Sequence, residues 1–210
     1  MTRQSNIKYV IKITAFFILS LLFYGCSSIL TTVAEQIYVT AIDQRDLNTI
    51  LKDTKIKLTI INKFHDDEYI NKLNTLDLSI ECYGGHVYLV GEYDTSVQKT
   101  RAINIAKNIQ GVKRVISYLL PKNKSDLCGF DENLSISGSV KARFIGDKDL
   151  WSRNIDVKSV QCNVVLYGIV ASDTKIKKAI EHAKSVNGVR TVKSLLKSAD
   201  QADPDLVVRH

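Results

Sequence analysis

Only two prolines and ten glycines occur among the 210 residues, which leaves little material for proline-rich linkers or glycine repeats. We therefore expect most of the chain to lie in helices and strands. The four cysteines, at positions 26, 82, 128 and 162, are too few for a dense disulfide framework and do not form the paired CxxC motifs of a zinc site. A glycine-rich loop that could hold a nucleotide phosphate is also missing.

Side chains that could carry catalysis are sparse. The segment His65–Glu68 contains metal-capable residues, but neighbours at a helix end point in different directions, so the segment is expected to be a polar loop. His86, His182 and His210 have no serine or cysteine partner that their spacing identifies. The sequence therefore predicts a protein that is not an enzyme and that has neither a metal site nor a cofactor.

The N-terminus has the pattern of an export signal. Three basic residues and no acidic residue precede residues 13–24, which are uncharged and mostly apolar. This run is too short to cross a bilayer alone. It ends at Gly25 and Cys26, which resemble the cleavage site of bacterial lipoproteins, where the cysteine is acylated. We predict a signal peptide over residues 1–25, a lipid-modified Cys26 and a tether over residues 26–42.

An uncleaved membrane anchor is the alternative interpretation. Residues 13–34 carry no charge over 22 positions, which is just long enough for a membrane span. Serine and threonine residues after Cys26 make a weak second half for such a span, so the lipoprotein interpretation is preferred. Either interpretation places the remaining chain outside the cytoplasm.

The chain contains an internal repeat with an offset of 77 residues. Residues 87–119 align without a gap to residues 164–196, and 12 of the 33 positions are identical. The identities fall mostly at apolar residues and glycines, so the repeated feature is a packing pattern. Two copies indicate a pair of duplicated small domains rather than a solenoid.

Each copy changes its hydrophobic period in a fixed order. Alternating strands at residues 78–82 and 155–158 are followed by a second strand, a helix with apolar residues at steps of three and four, and a third strand. A crossover helix between strands implies a parallel connection. A further helix precedes each hairpin, capped by Asp53 or Thr54 in the first copy and by Asn133 or Ser135 in the second; Ser172 or Asp173 caps the later helix of the second copy.

The predicted fold class is thus α+β. Each module has the order α-β-β-α-β, a mixed three-stranded sheet and helices packed on one face. The first module covers residues 43–121, the second covers residues 131–198, and residues 122–130 form the linker, with a C-terminal tail at 199–210. We expect the two modules to be in fixed or semi-fixed contact.

Four glycines are predicted to be structural. Gly111 and Gly188 stand after a helix, where a left-handed residue is needed, and Gly91 and Gly168 end a repeated strand motif. The first hairpin turn contains Gly84 and Gly85. The second turn, over residues 161–163, has no glycine, and we expect Asn163 to tolerate the required conformation.

The repeated motifs resemble the BON domain. They read GxVxLxG at residues 85–91, AxxIAK at 102–107 and GVxxV at 111–115, and the second copy keeps VxLxG at 164–168 and GVxxV at 188–192. The resemblance implies a non-enzymatic outer-membrane lipoprotein that faces the periplasm and supports membrane integrity. It also implies that the second module binds anionic phospholipid through its first helix and adjoining loops.

The distribution of charge favours the same module. Residues 131–198 carry 12 basic and 7 acidic side chains, a net charge of +5, whereas residues 43–121 have a net charge of +1. Basic and aromatic residues near the first helix could meet lipid headgroups and the interface. The candidate lipid-binding residues are Leu134, Lys141, Arg143, Phe144, Lys148, Trp151 and Arg153.

Two alternatives remain open. The basic helix face could be an ordinary solvated surface with Phe144 in the core. The modules could instead dock on other envelope proteins through a sheet edge, without lipid binding. Nucleic acid is not an expected partner, because no GxxG lies between two helices and export removes the chain from nucleic acid.

Three cysteines follow Cys26, and in an oxidising compartment two of them could pair. An odd number leaves at least one cysteine free or paired between chains. We expect Cys162 to be exposed, because it replaces a turn glycine, and Cys82 to be buried at the end of a strand. The sequence leaves the pairing open.

Overall fold

The structure is a computed structural model that describes residues 47–71, 77–150 and 154–198. Predictions for the signal peptide, Cys26, the tether, the C-terminal tail, Trp151 and Arg153 lie outside the described residues. Both modules belong to one compact unit. No helix of the described ranges is long and apolar enough to cross a membrane.

The first module has the predicted order of elements. Helix α1 is followed by the strands β1 and β2, the crossover helix α2 and the strand β3. Strand β2 lies in the middle of the sheet, antiparallel to β1 and parallel to β3. The bounds are Leu47–Asp66 for α1, Leu78–Tyr83 for β1, His86–Tyr93 for β2, Ser96–Lys107 for α2 and Arg114–Pro121 for β3.

The second module repeats this arrangement. Strand β5 lies between an antiparallel β4 and a parallel β6. The α+β fold with two mixed three-stranded sheets is therefore confirmed. The bounds are Phe130–Ile145 for α3, Ile155–Val160 for β4, Asn163–Val170 for β5, Asp173–Lys184 for α4 and Thr191–Ser198 for β6.

Each module buries its helices against one face of its sheet. In module 1, Ile56, Ile60 and Phe64 of α1 share a core with alternate residues of β2 and with the alanines of α2. Small alanines let the crossover helix lie close to the sheet, and Ala102 and Ala106 are almost fully buried. The counterparts in module 2 are Ile136, Val140, Phe144, Ala179 and Ala183.

The other faces of the two sheets pack against each other. Tyr88 of β2 stacks on Tyr167 of β5 with ring centroids 5.7 Å apart. Tyr167 also shares a hydrogen bond of 2.8 Å with Ser79 of module 1. Burial raises the pKa of Tyr88 to about 12 and also raises that of Tyr167. The central strands are therefore buried on both faces, and the modules are held in fixed contact.

The second hairpin turn corrects the sequence prediction. Gln161 and Cys162 adopt the left-handed conformation, with φ of 52° and 57°, whereas Asn163 is the first residue of β5. The Asn163 side-chain amide donates to the Val160 and Gln161 carbonyls at 3.1 and 2.9 Å. Asn163 thus supports the turn from outside, and the turn conformation falls on residues that rarely adopt it.

The predicted N-caps of the first helix in each module are also wrong, because Thr54 and Ser135 lie inside α1 and α3, as Asp53 and Asn133 do. Asp53 lies inside α1 and is buried, because its carboxylate accepts hydrogen bonds from the backbone N–H groups of Gly84 and Gly85 at 2.7 and 2.9 Å. Asn133 lies inside α3, and Gly129 is the N-cap. The Asn133 side-chain oxygen accepts a hydrogen bond from the Cys162 backbone N–H at 3.0 Å. In both modules this polar helix residue holds the hairpin turn.

Candidate functional site

Helix α3 begins earlier than its apolar period indicates. The Glu132 carboxylate accepts a hydrogen bond from the Gly129 N–H at 2.9 Å, and Asp131 and Glu132 place negative charge in the first turn, where a helix dipole favours it. Phe130 therefore becomes the first helical residue. An aromatic ring stands at the start of this helix, and it is about half exposed.

Exposed apolar side chains follow one line of α3. Phe130, Leu134 and Ile145 are 52%, 61% and 66% exposed, and Lys141 lies on the same line. At 100° per residue, these four residues fall within about 60° of one another around the helix axis. We call Phe130, Leu134, Lys141 and Ile145 the α3 stripe. Leu127, which is 92% exposed, extends the apolar surface of the α3 stripe into the linker.

Two of the predicted lipid-binding residues do not belong to this surface. Phe144 is 5% exposed and packs edge to face on His182, with ring centroids 6.5 Å apart, so its ring is part of the core. Arg143 is exposed, but it lies about 160° around the helix from Lys141. The structure therefore separates Arg143 and Lys141 onto opposite flanks of α3.

Lys148 lies in the turn that follows α3 and is exposed. Sixteen helical residues span about 24 Å, so Lys148 lies near Ile145 and far from Phe130. Contact of Phe130 and Lys148 with one surface would require the helix to lie flat on it. Of the predicted residues that the structure describes, Leu134 and Lys141 share the α3 stripe and Lys148 extends it.

A groove of about 540 Å³ runs beside the α3 stripe. Lys124, Lys141 and Lys158 line it from the linker, α3 and β4, and Asp77 and Glu92 line it from module 1. Burial lowers the pKa of Lys158, which the two carboxylates oppose. The groove therefore presents ammonium groups next to the exposed apolar residues of α3.

A disulfide holds the start of α3 in place. Cys128, just before the helix, is bonded to Cys162 in the hairpin turn, with the two Cα atoms 5.7 Å apart. The expectation that Cys162 is exposed is wrong, since it is 8% exposed and turned inward by this bond. Cys82 is buried, as expected, and its thiol donates a hydrogen bond to the Asp53 carboxylate at 3.2 Å. The bond attaches the linker and the first turn of α3 to the sheet.

The segment His65–Glu68 does not gather its side chains. His65 and Asp66 are exposed, whereas Asp67 turns toward α2 and accepts hydrogen bonds from the Arg101 guanidinium at 2.6 to 3.2 Å. That contact lowers the pKa of Asp67. Within the residues that the structure describes, no group of three His, Cys, Asp or Glu side chains could hold a metal ion.

The sequence matches the model of the BON domain twice, over residues 52–120 and 133–200. These two matches cover more than half of the chain and coincide with the two structural modules. The chain belongs to the BON-domain family. Its relatives include the osmotically-inducible protein Y of Escherichia coli (strain K12), which is 27% identical over 146 residues, 69% of each chain.

A second relative is the outer membrane lipoprotein DolP of Haemophilus influenzae (strain ATCC 51907 / DSM 11121 / KW20 / Rd). It is 24% identical over 163 residues, which are 76% of this chain and 81% of the relative.

Two solved structures of CdsD, a structural protein of the type III secretion system of Chlamydia trachomatis, are more remote. One, of the C-terminal domain, is 11% identical with a TM-score of 0.28 and covers 68% of this chain and 65% of that chain. The other is 15% identical with a TM-score of 0.25 and covers 66% and 91%. These scores are too low to carry an argument.

Two glycines of the BON motif are required by close backbone contact. A Cβ atom at Gly91 would lie 1.9 Å from the Asp77 carbonyl oxygen, and one at Gly168 would lie 1.9 Å from that of Asn154. Gly111 and Gly188 have φ of 93° and 86°, in the turn after the crossover helix. All four predicted glycines thus stand where a side chain is costly.

Sequence reasoning missed Phe130, Leu127 and Ile145 as exposed residues of the second BON module. A signal for the helix start was available, because Gly129 precedes an aromatic residue and two acidic residues, a pattern typical of a helix N-terminus. The later apolar period at Ile136 and Val140 concealed this start. Phe144 is the last buried residue of α3, and Ile145, the next residue, points away from the core and is exposed.

Proposed function

We propose that this chain is a membrane-anchored BON-domain lipoprotein of the bacterial envelope, that it binds anionic phospholipid through the α3 stripe, and that it supports outer-membrane integrity without enzymatic activity. The observation that carries the proposal is the line of exposed apolar residues on α3 with Lys141 among them. A helix that lies in a bilayer interface buries apolar side chains below the headgroups and keeps basic groups beside them.

The geometry of α3 supports a flat contact. Phe130 and Ile145 mark the two ends of the α3 stripe, and Leu134 and Lys141 lie between them. The side chains that hold the helix to its own sheet, Ile136, Val140 and Phe144, project from an adjacent face. The α3 stripe can therefore enter a lipid surface without removing α3 from the core.

The charge of module 2 supports a preference for anionic lipid. Its net charge is +5, and Lys124 and Lys158 in the groove stand beside Lys141. A basic residue near an anionic membrane contributes about 1 kcal/mol, which salt screens. Apolar insertion and ammonium–phosphate attraction would then act on the same face of the module.

Two observations support the envelope as the location. One relative is named an outer membrane lipoprotein, and the disulfide between Cys128 and Cys162 is typical of proteins in oxidising compartments. The predicted acylation of Cys26 would supply the permanent anchor, since stable attachment needs more than one acyl chain.

The experiment is liposome flotation of residues 43–210, because an anchored chain would float with any vesicle. Binding is measured with phosphatidylcholine vesicles that contain increasing phosphatidylglycerol. We expect Phe130→Ser with Leu134→Ser to weaken binding by about tenfold, from roughly 1.4 kcal/mol of lost burial. Lys141→Gln should weaken it about fivefold, which corresponds to one lost basic contact.

Matched controls lie on the same molecule. Arg143→Gln removes the same charge from the opposite flank of α3, and Leu51→Ser with Leu58→Ser removes two exposed leucines from α1; both should leave flotation within a factor of two. The proposal would be contradicted if vesicle binding did not depend on the phosphatidylglycerol content, or if the control variants weakened binding as much as the α3 stripe variants do. Capture of envelope proteins without flotation would favour docking through a sheet edge.

A further inference from the structure

The hairpin turn of module 2 is a junction between three parts of the molecule. Its Cys162 is bonded through sulfur to Cys128 of the linker, and the Cys162 backbone N–H donates to the Asn133 side chain of α3 at 3.0 Å. The Gln161 side-chain amide donates to the Pro121 carbonyl of module 1 at 2.8 Å. The linker, α3 and module 1 therefore all contact the same two turn residues.

This turn adopts a conformation that its residues do not favour. Gln161 and Cys162 have φ of 52° and 57°, in the left-handed region that residues with a Cβ atom rarely occupy. Module 1 makes the equivalent turn with Gly84 and Gly85, for which this conformation has no steric cost. The turn of module 2 therefore depends on contacts with other segments, and the disulfide is the one cross-link among the described residues that supplies such a contact.

The disulfide also fixes the point from which the α3 stripe begins. Cys128 is buried, whereas Leu127 before it and Phe130 after it are exposed. The Asn133 side-chain amide donates to the carbonyls of Cys128 and Gly129 at 3.4 and 2.8 Å, and the same side chain accepts from the turn. One connected set of contacts thus links the sulfur bridge, the turn and the two apolar side chains.

The linker has one further strong contact beside the bridge. The Asp126 carboxylate accepts hydrogen bonds from the Arg190 guanidinium at 2.7 Å. Arg190 is exposed, and an exposed ion pair contributes little to stability. The pair also lies on the N-terminal side of the bridge, so it does not hold residues 127–130 alone. We therefore expect these residues to be ordered in the disulfide form and to sample several conformations in the dithiol form.

We propose that the bond between Cys128 and Cys162 is a redox switch that presents the α3 stripe to lipid. In the disulfide form, Leu127 and Phe130 are held in place before they meet a membrane, so the affinity is not reduced by the cost of ordering them. In the dithiol form, the membrane has to order both side chains. This inference rests on the proposed lipid contact of the α3 stripe and adds the regulation of that contact.

The switch is a thiol–disulfide exchange with an external dithiol. One thiolate of the dithiol attacks a sulfur of the bridge, a mixed disulfide forms, and the other cysteine leaves as a thiolate that takes up a proton. The second thiolate of the dithiol then attacks the mixed disulfide, which releases the first cysteine and leaves the reagent as a disulfide. Two electrons and two protons thus pass from the reagent to Cys128 and Cys162.

The reverse exchange, with an external disulfide as the oxidant, closes the bridge. Cys128 and Cys162 are 6% and 8% exposed in the folded module, so the exchange is faster before the linker has packed on the turn than afterwards, because its rate depends on access to the sulfurs. A chain that enters an oxidising compartment in the dithiol form would therefore gain its lipid contact when the bridge forms.

The test uses the full chain in lipid nanodiscs. Hydrogen–deuterium exchange of the backbone amides of residues 127–138 is compared between discs of phosphatidylcholine and discs that also contain phosphatidylglycerol, with and without dithiothreitol. We expect phosphatidylglycerol to slow exchange by about tenfold in the disulfide form and by less than about twofold in the dithiol form. The amides of β5 and of the turn at Gly84 and Gly85 report whether the reduced protein is still folded, and their exchange should not change.

Two variants separate the bridge from other effects of the reductant. Cys128→Ser with Cys162→Gly removes the bridge but places a residue in the turn that adopts the left-handed conformation freely. It should behave like the dithiol form with or without dithiothreitol. Cys82→Ser is the matched control, since it removes a thiol of module 1 and keeps the bridge, and it should respond to dithiothreitol as the wild type does.

The outcomes distinguish this inference from the proposed function. Protection by phosphatidylglycerol that is equal in the disulfide and dithiol forms overturns the switch and leaves the lipid contact in place. Absence of this protection in the disulfide form contradicts the lipid contact itself, and the switch with it. A response to dithiothreitol in the variant without the bridge, or fast exchange throughout β5 after reduction, also overturns the switch, because the reductant then acts elsewhere or on the fold of module 2 as a whole.

Discussion

Removal of the disulfide between Cys128 and Cys162 tests how module 2 keeps its hairpin turn. The bond joins residues 34 positions apart, and it ties the linker to a turn in which Gln161 and Cys162 both have positive φ. Module 1 makes the same turn with Gly84 and Gly85 and needs no such bond. We therefore expect the two modules to respond differently to reduction.

The magnitude follows from the length of the closed loop. A cross-link over 34 residues removes chain entropy from the unfolded state worth about 3.8 kcal/mol at 25 °C. The variant Cys128→Ser with Cys162→Ser should lose about this much stability. A glycine at position 162 avoids the cost of about 1–2 kcal/mol that a left-handed L-residue carries. Cys128→Ser with Cys162→Gly should thus be about 1 kcal/mol more stable than the double serine variant, after the added freedom of glycine in the unfolded chain.

Urea unfolding of residues 43–210, followed by circular dichroism, measures these differences. Wild-type protein with and without dithiothreitol gives the effect of the bond, and the two double variants in oxidising buffer separate loop closure from turn conformation. If reduction changes the free energy of unfolding by less than about 1 kcal/mol, the linker is held by other contacts and the loop-closure reasoning fails. If the glycine variant is the less stable of the two, the cost assigned to the left-handed turn is refuted.

Three further predictions concern packing and charge. Gly91→Ala should destabilise the protein by at least about 3 kcal/mol in urea unfolding, because its Cβ would overlap a backbone carbonyl oxygen, whereas Gly138→Ala in α3, where a Cβ meets nothing within 4 Å, should stabilise it by up to about 1 kcal/mol. Tyr167→Ala should cost about 3–5 kcal/mol and should split a single unfolding transition into two, since it removes the aromatic stack between the modules; an unchanged single transition would contradict this role. Lys178, which also pairs with Asp149, lowers the pKa of Asp147 below its usual 3.8, so the interaction stabilises the fold at neutral pH and its contribution is lost as pH falls through the folded-state pKa; the difference in urea midpoint between wild type and Lys178→Met should therefore be largest at neutral pH and should shrink as the pH falls below 3.8.

The fold could be predicted because its signals are repeated. The copies at an offset of 77 residues share their glycines and the alternating apolar residues of their strands. The period of the apolar residues distinguishes strands from helices at most positions. The contact between the sheets had a weaker signal. Val87–Val90 and Val164–Tyr167 are continuous apolar runs, which indicate burial on both faces, but they do not identify what covers the second face.

The start of α3 was less predictable because two effects compete there. Asparagine is a preferred N-cap residue, but the side chain of Asn133 accepts a hydrogen bond from the Cys162 amide instead. The helix therefore begins earlier, at Phe130. This partner lies 29 residues away, and no local pattern reports it. For the same reason Asp53 was wrongly predicted to be an N-cap, since its carboxylate accepts hydrogen bonds from the distant Gly84 and Gly85 amides. The late helix start left Phe130, which is exposed, out of the lipid-binding prediction, and of the two positions left open for Phe144 the structure shows the core.

One local difference between the duplicated modules accounts for the exposed apolar edge of module 2. In module 2 the chain before the first helix folds over the hairpin turn, where Asp126 pairs with Arg190 and Cys128 pairs with Cys162. This segment fills the space beside the turn. Leu127, between the anchored residues Asp126 and Cys128, and Phe130, just after them, are exposed. In module 1 the helix already includes Leu47 and Thr49, the positions equivalent to Leu127 and Gly129. A module that uses its N-terminal segment to close the turn gains an apolar edge that can meet a lipid surface.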